Sequence, residues 1–299
     1  MAEISKLSGV AIANVAKVDA VTKANIANIN DLTIPSAFTG LLDTYTGAAA
    51  AYSVRRLYSG YTGACMRVRR DSDNTEQDIG FDSNGDLDTS ALATFVGTGN
   101  NGYVRTWYGQ ESSGGTGSGI DAEQSTAINQ PKIYDATSGL FTENGKPIIK
   151  NTPVTAQNRN ALEISSMTFT TTNWAFGVCL VEQTFSNWIE GPSGGDFVLL
   201  AQSGSGSSAH SGVSGVSLYK DGSSWSATTR ANVYTDLVNN QSVVVANWSS
   251  SSWTSFNLGY PSADQVYMHP MQEFILWTSD QSSNRSGIET NINTYFSVY

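Results

Sequence analysis

Short stretches in which apolar and polar residues alternate recur along the chain from about residue 50, and turn residues separate them. The segments 52–58 and 64–70 alternate in this way, with Gly60 and Gly63 between them. The segment 172–185 differs, because both of its alternating sets of positions are apolar, which predicts a central strand buried on both faces. Because a period of two is typical of strands, the pattern as a whole predicts an antiparallel all-β sandwich.

Two segments depart from this alternation and predict short helices. Asp88 is a favourable N-cap residue, and the segment 90–96 that follows it ends near Gly97. A second helix closes the chain, and we expect Ser279 or Asp280 to cap it. The apolar residues that share one face of this helix at helical spacing are Ile288, Ile292, Tyr295 and Phe296.

The N-terminal 36 residues contain three rows of eleven, at 4–14, 15–25 and 26–36. An eleven-residue period fits a right-handed helical coil, but the Val, Ile and Thr content favours short strands joined by tight turns. We interpret 1–36 as an N-terminal anchor and 37–299 as one jelly-roll domain; the alternative is a plain extension of that domain. The apolar columns predicted to dock on partners are Ile4, Val15 and Ile26, then Leu7, Val18 and Ile29, then Val10, Val21 and Leu32.

The charge of the chain argues against nucleic acid as a partner. Only 14% of the residues are charged, and the formal net charge is −10. An acidic chain has no pool of cations with which to displace the counterions of a phosphate backbone. We expect the basic cluster of Arg55, Arg56, Arg67, Arg69 and Arg70 to pair with local carboxylates.

The two cysteines, Cys65 and Cys179, lie in apolar strand patterns, so we expect them to be buried and reduced. The first residues do not read as a signal peptide, and no apolar run is long enough to span a membrane. We therefore expect a protein that folds in a host cytoplasm and does not insert into membranes.

Four segments within residues 41–150 carry a family resemblance: AAAYSVRRLYSGYTGACMRVRRDSDNTEQDIGF (49–81), DLDTSALATFVG (86–97), YVRTWYGQ (103–110) and ENGKPII (143–149). They resemble the catalytic-domain sandwich of α-L-arabinofuranosidase B, which is a concanavalin-A-like jelly roll. The resemblance implies that fold here, with a short C-terminal helix and the β-repeat anchor added.

The chain also departs from that enzyme family. The family usually carries an Asp-Gln-Ser-Gly motif where this chain reads Gly109, Gln110, Glu111 and Ser112. The family's adjacent pair of cysteines is absent, and no segment matches the one that holds its nucleophilic glutamate. The resemblance therefore implies the fold and transfers no catalytic residue. Both ends of the chain, 4–30 and 273–299, resemble virion proteins of marine bacteriophages instead.

The remaining candidates for site chemistry do not form a pattern. A retaining glycosidase needs two carboxylates about 5–5.5 Å apart, and the spacing singles out no pair among Glu182, Glu190, Asp196 and Glu273. Oxygen-bearing residues alternate from Asp82 to Asp88, but the glycine and the final glutamate of a calcium loop are missing. His210 and His269 lack the further ligands of a zinc site. We predict no metal and no cofactor.

Aromatic residues are the last candidates for a binding site. Trp107, Trp174 and Trp277 lie in strand patterns and are expected in the core. Four others lie near Ser- and Gly-rich loops, where a ring could stack on a sugar or could simply cap an end of the sandwich. These predicted glycan-binding residues are Trp225, Trp248, Trp253 and Tyr260.

Together these observations favour a non-enzymatic structural protein of a bacteriophage virion. We expect it on the particle as a fibre, spike or capsid decoration, held to other virion proteins by its N-terminal segment. We also expect a homotrimer that binds host-surface glycans with many weak sites. The alternatives are a glycoside hydrolase of the arabinofuranosidase type and a purely architectural cement protein.

Overall fold

The computed structural model describes residues 38–111, 120–151, 161–192, 195–250, 252–259 and 267–299, together with the backbone of short paired strands between residues 6 and 33. Contacts between Cα atoms divide the chain into two compact units, Met1–Thr39 and Gly40–Tyr299.

Three two-stranded hairpins occupy the first unit and recur every eleven residues. They confirm the strand interpretation of the repeat over the helical coil. The hairpins pair β1 (Lys6–Leu7) with β2 (Val10–Ala11), β3 (Lys17–Val18) with β4 (Val21–Thr22), and β5 (Asn28–Ile29) with β6 (Leu32–Thr33).

The anchoring residues predicted from the repeat fall partly on these strands. Ile4, Val15 and Ile26 lie outside the described residues, and so does Tyr260. The docking role of all nine apolar positions stays a prediction. Those that lie on the hairpin strands are Leu7, Val10, Val18, Val21, Ile29 and Leu32.

The second unit consists of short strands with a few helices. Its first ten strands are β7 (Ala50–Ser53), β8 (Met66–Arg70), β9 (Glu76–Ile79), β10 (Gly102–Trp107), β11 (Ala122–Glu123), β12 (Lys132–Asp135), β13 (Gly139–Leu140), β14 (Thr142–Glu143), β15 (Lys146–Pro147) and β16 (Ala161–Ile164). The next ten are β17 (Asn173–Cys179), β18 (Phe185–Glu190), β19 (Phe197–Gln202), β20 (His210–Ser211), β21 (Ser214–Lys220), β22 (Ser223–Trp225), β23 (Ser242–Ser249), β24 (Phe256–Gly259), β25 (Tyr267–Met268) and β26 (Met271–Trp277). The helices are α1 (Leu41–Thr44), α2 (Thr89–Val96), α3 (Arg230–Leu237) and α4 (Arg285–Phe296), with a 3-10 turn at Ala127–Asn129.

Two sheets hold nearly all of the strands in this second unit. The larger has twelve strands, and its main path runs β13-β12-β10-β11-β16-β24-β18-β19-β20. Strand β8 joins it by pairing with β10 and β9, and β25 pairs with β18 in parallel. The smaller has six strands in the order β22-β21-β23-β17-β26-β7. The all-β sandwich predicted from the sequence is confirmed.

The core lies between the facing surfaces of the two sheets. Trp188 of the large sheet meets Phe274 of the small sheet edge to face at 5.5 Å between ring centroids. Phe274 also lies 5.7 Å from Phe256, and Tyr52 lies 5.9 Å from Trp107. Aromatic pairs at these separations add to the hydrophobic energy of burial. The strand predicted over 172–185 ends at Cys179, and all seven residues of β17 are buried, as predicted for a central strand.

Both predicted helices are present, but the start of the second one was predicted wrongly. Helix α2 begins after Asp88, whose carboxylate accepts a hydrogen bond from the Ala91 N–H. Helix α4 begins at Arg285, later than Ser279 or Asp280. The reason is local, because the Asp280 carboxylate accepts the N–H and hydroxyl of Ser282 and so closes a turn instead.

The prediction for the cysteines is confirmed, and the prediction for the arginines is confirmed in part. Cys65 and Cys179 are buried and free. Arg55 pairs with Glu273, and Arg67 pairs with Asp78 at 2.7 Å. Arg70 pairs with Asp73 at 2.7 Å, whereas Arg69 donates to the neutral side-chain oxygens of Gln130 and Asn74.

The oxygen-rich stretch near Asp82 forms a turn. One carboxylate oxygen of Asp82 accepts the N–H groups of Asn84 and Asp86. Asp86 in turn accepts a hydrogen bond from Lys146 at 3.2 Å and contacts Tyr295. Across the described ranges, no group of three side chains is arranged to hold a metal ion. Within the same ranges, no helix has the length and apolar character required to cross a bilayer.

Gly177 allows the two sheets to approach each other at the centre of the core. A Cβ atom at this position would lie 2.8 Å from the Trp188 ring and 2.9 Å from the Glu273 carbonyl oxygen. Gly177→Ala should therefore cost about 1–3 kcal/mol of unfolding free energy, the usual cost of overpacking a core. Urea denaturation measures this, with Gly80→Ala as the matched control because a methyl group added there would meet nothing within 4 Å. Equal stability of the two variants would contradict this close approach of the sheets.

Candidate active site

A row of polar side chains crosses the large sheet on the face that points away from the core. Strand pairing aligns Thr106 with Glu123, Glu123 with Glu163, and Glu163 with Asn257. Asn257 is also aligned with Glu190 on the next strand. Residues directly opposite each other on antiparallel strands have their side chains on the same face. The sheet therefore places three glutamates in one line across four neighbouring strands.

Alternation within the strands separates this row from the core. On β16, Leu162 and Ile164 are buried in the core while Glu163 between them is exposed. On β24, Phe256 and Leu258 are buried on either side of the half-buried Asn257. The apolar residues bury one face of the sheet, so the polar residues between them must line the other.

A groove runs along this outer face, and three carboxylates, Asp121, Glu123 and Glu163, line it. It has a volume of about 520 Å³, and we call it the acidic groove. A second depression of about 450 Å³ continues it along β16 and β24, where Thr254, Ser255 and Asn257 complete its lining. The residues that line the acidic groove are Ile120, Asp121, Glu123, Ser125, Glu163, Ser165 and Ser166.

Asp121 is the acidic-groove residue with the most perturbed environment. Burial raises the pKa of its carboxyl above the ordinary value, and the nearby charge of Glu123 raises it as well. The Gly109 N–H opposes this, because it donates to the Asp121 carboxylate at 3.0 Å and stabilises the charged form. The net shift is upward, so Asp121 keeps its proton to higher pH than an exposed aspartate.

Glu111 holds the backbone of the residue that precedes Asp121. It contacts the backbone N–H of Ile120, and burial raises the pKa of its carboxyl. The hydroxyl of Tyr52 donates to the Ile120 carbonyl oxygen at 2.6 Å. The residue before Asp121 is thus held on both of its backbone polar groups. Glu111 stands in the motif in which the chain departs from the arabinofuranosidase pattern.

The four carboxylates considered from the sequence have separate surroundings. Glu182 pairs with Lys150 at 2.6 Å, and Glu273 is fully buried in its pair with Arg55. Asp196 accepts a hydrogen bond from the indole of Trp253. Glu190 alone belongs to the polar row, at its buried end.

Two of the predicted glycan-binding tryptophans are in the core. Trp248 and Trp253 are each 1% exposed, and with Phe169 they form a ring cluster that closes one end of the sandwich. Their Ser-rich surroundings indicated surface loops, but the large rings are buried because burial removes their apolar area from water. Trp225 is half-buried and lines a separate groove. Trp107, Trp174 and Trp277 are core residues, as predicted.

The comparison with protein families points to an enzyme. The family model described as "Alpha-L-arabinofuranosidase B, catalytic" matches residues 42–152. That range contains Asp121 and Glu123 of the acidic groove. This part of the sandwich is therefore similar to a glycoside hydrolase catalytic domain.

One solved structure supports the fold of this domain, and two more align at lower TM-scores. A glutamate-to-glutamine mutant of a GH54 α-L-arabinofuranosidase, soaked with 4-nitrophenyl α-L-arabinofuranoside, aligns at TM-score 0.51 and 16% identity. A GH54 α-L-arabinofuranosidase soaked with a cyclic sulfate inhibitor aligns at 0.47 and 15%, and an arabinofuranosidase complexed with arabinofuranosyl-α-1,2-xylobiose at 0.45 and 14%. Each alignment covers 84% of this chain and 63% of the other, so the chain spans less than two thirds of those enzymes. No curated protein matches the sequence.

These findings correct the functional prediction made from the sequence. The interpretation as a non-enzymatic structural protein of a phage virion is wrong, because the matching family model describes a catalytic domain. That interpretation was based on the composition and on the resemblance of both ends of the chain to virion proteins, rather than on the resemblance to the enzyme. A surface rich in Ser, Thr and Asn is equally suited to an enzyme that handles polysaccharides.

Proposed function

We propose that this chain is a glycoside hydrolase that acts on arabinofuranosyl groups of a polysaccharide. The observation that carries the proposal is the acidic groove, in which Asp121 and Glu163 face one cavity on the outer surface of the large sheet. Glycosidases cleave with one protonated and one ionised carboxyl group on either side of the scissile bond. The family match to an arabinofuranosidase catalytic domain supports the choice of sugar.

The surroundings of the two carboxyl groups assign their roles. Asp121 is the general acid, because burial and the charge of Glu123 hold its proton where a leaving oxygen can take it. Glu163 is exposed in the groove and serves as the ionised carboxylate that attacks the sugar or activates water. Asp121 precedes Glu123 by two positions, and Glu123 is directly opposite Glu163. In a regular sheet the Cα atoms of such diagonal neighbours lie about 7–8 Å apart, so the two carboxyl groups can flank a single sugar ring.

The length and lining of the groove favour a polymeric substrate. The adjoining depression extends the groove along two strands, with serine hydroxyls in both parts and the Asn257 amide in the depression. The neutral side chains of Ser165, Ser166, Ser255 and Asn257 can bind sugar hydroxyls. A chain of sugars can therefore lie along the depression while one sugar unit occupies the acidic groove.

The activity is tested with purified protein on 4-nitrophenyl α-L-arabinofuranoside and on soluble arabinan. We expect release of nitrophenol and of free arabinose, and no comparable release from 4-nitrophenyl β-D-glucopyranoside. Release from the glucoside alone would contradict the proposed sugar, and absence of turnover on all three would contradict hydrolysis.

The pH profile provides a specific test of the role of Asp121. Activity should fall as the pH rises through the pKa of Asp121, because the acid must be protonated to act. Glu123→Gln removes a negative neighbour that raises this pKa, so the ionised form of Asp121 becomes easier to reach. The alkaline limb of kcat against pH should therefore move to lower pH in Glu123→Gln, and it should be absent in Asp121→Asn. An unchanged limb in both variants would assign the acid to another residue.

A further inference from the structure

A second groove lies at the far edge of the sandwich from the acidic groove. It opens between the β21–β22 hairpin, which forms one edge of the small sheet, and His210 on β20, the last strand on the main path of the large sheet. Its volume is about 320 Å³, which is in the range of small-molecule pockets. Strand β20 is separated from β24 of the acidic groove by β18 and β19. We call this second site the tryptophan groove, after Trp225 in its wall.

The ring of Trp225 is fixed in position before any ligand arrives. It is half-buried, and its Nε1–H donates to Asp236 Oδ2 on α3 at 2.7 Å. Strand pairing places Trp225 opposite Leu218, which is buried. A ring held by both a hydrogen bond and packing loses little conformational freedom when a ligand stacks on it.

The rest of the lining combines apolar residues such as Val216 and Ala227 with hydroxyl groups, and it carries no formal charge at neutral pH. The side chains of Ser224, Ser226 and Thr228 are exposed and bring hydroxyl groups to the groove. Nδ1 of His210 is buried and has no hydrogen-bond partner among the described residues. Burial lowers the pKa of His210, so its ring is neutral at neutral pH and can accept or donate a hydrogen bond.

We infer that the tryptophan groove binds a neutral sugar unit of the polysaccharide, away from the site of cleavage. An aromatic face beside hydroxyl groups fits a sugar ring, which presents C–H groups on its face and hydroxyls around its edge. The residues that line the groove carry no formal charge of their own, whereas the nearest charges are already engaged, Asp236 with the Trp225 indole and Arg285 over the Tyr219 ring. Binding at two separate grooves would hold a polymer more tightly than either groove alone. The choice of polysaccharide rests on the proposed function, whereas the preference for a neutral sugar rests on the groove itself.

The binding is measured by affinity gel electrophoresis of the whole chain in soluble arabinan, arabinoxylan and, as an acidic comparison, polygalacturonate. Ser226→Tyr fills the groove from an exposed position and should weaken retardation by a neutral polysaccharide at least about tenfold, the loss of one stacked sugar contact. Its kcat/KM on 4-nitrophenyl α-L-arabinofuranoside should stay unchanged, because that substrate needs the acidic groove alone. Ser283→Tyr, at an exposed turn outside both grooves, is the matched control.

The outcomes separate this inference from the proposed function. Trp225→Phe should retain more binding than Trp225→Ala, because an aromatic face remains. The inference is overturned if neither neutral polysaccharide retards the wild-type chain, or if Ser226→Tyr and Ser283→Tyr migrate alike. It is also overturned if polygalacturonate is bound in preference. Retardation without any hydrolysis would contradict the proposed function and leave the groove as a sugar-binding site.

Discussion

Glu163→Gln is expected to lower kcat/KM for 4-nitrophenyl α-L-arabinofuranoside by about 10²–10⁴-fold, the typical contribution of a catalytic carboxyl group. The substitution keeps the size of the side chain and removes only its ability to ionise. Glu163 is exposed between two buried residues, Leu162 and Ile164, so the strand should keep its place in the sheet. The loss should therefore appear in turnover while the thermal midpoint of unfolding stays near that of the wild type.

Two further glutamine variants make this result specific. Glu76→Gln replaces an exposed glutamate on β9, outside the acidic groove, and should leave kcat/KM unchanged. Glu190→Gln changes the buried end of the polar row, two strands from Glu163. A full loss in Glu190→Gln with normal turnover in Glu163→Gln would move the reacting carboxylate along the row and refute the role given to Glu163.

The sequence was sufficient to predict the sandwich because its strongest signals are local. The apolar run at β17 indicates burial on both faces, and the structure has all seven of its residues buried. The face of α4 could be predicted as well, since Ile288, Ile292 and Phe296 follow the helical period and are buried. Local pattern could not give the start of α4, because the same Asp and Ser residues can cap a helix or close a turn.

The candidate site could not be predicted because it depends on strand register. Asp121 and Glu123 lie on or beside a strand of two residues, and Glu163 follows forty positions later. Nothing in their spacing along the chain shows that β11 and β16 are neighbours. A usable signal was present at 161–164, where one glutamate interrupts an apolar strand and must point away from the core. This signal identifies a carboxylate on the outer face of the sheet, but it does not identify the second carboxylate of the site.

The sequence neighbours of the tryptophans did not predict which of their rings are exposed. Trp225 and Trp253 both have Ser neighbours in the sequence, yet one lines a groove and the other is 1% exposed. The difference arises from tertiary packing, since Trp253 meets the Phe169 ring edge to face at 5.4 Å. The exposure of an aromatic residue could therefore be known only from the folded structure.

The largest stability effect should come from the buried ion pair between Arg55 and Glu273. Nε and Nη2 of Arg55 donate to the two carboxylate oxygens of Glu273 at 2.8 and 3.0 Å, and Ser53 donates to the same carboxylate at 2.7 Å. The Arg55 guanidinium also lies 4.7 Å from the ring centroid of Tyr295 on α4. The pair thus connects β26 and the segment after β7 to the C-terminal helix.

Glu273→Ala should lower the unfolding free energy by about 3–5 kcal/mol, because it leaves the Arg55 charge buried without its partner. Urea denaturation measures the loss, and Arg67→Ala provides the control. Arg67 forms a comparable pair with Asp78, but both side chains are more than two-fifths exposed, so its loss should cost about 0–1 kcal/mol. The double variant Arg55→Met with Glu273→Leu should recover part of the loss, since neither buried charge remains. Equal costs for Glu273→Ala and Arg67→Ala would show that water reaches the Arg55–Glu273 pair, and that α4 is held by its apolar face alone.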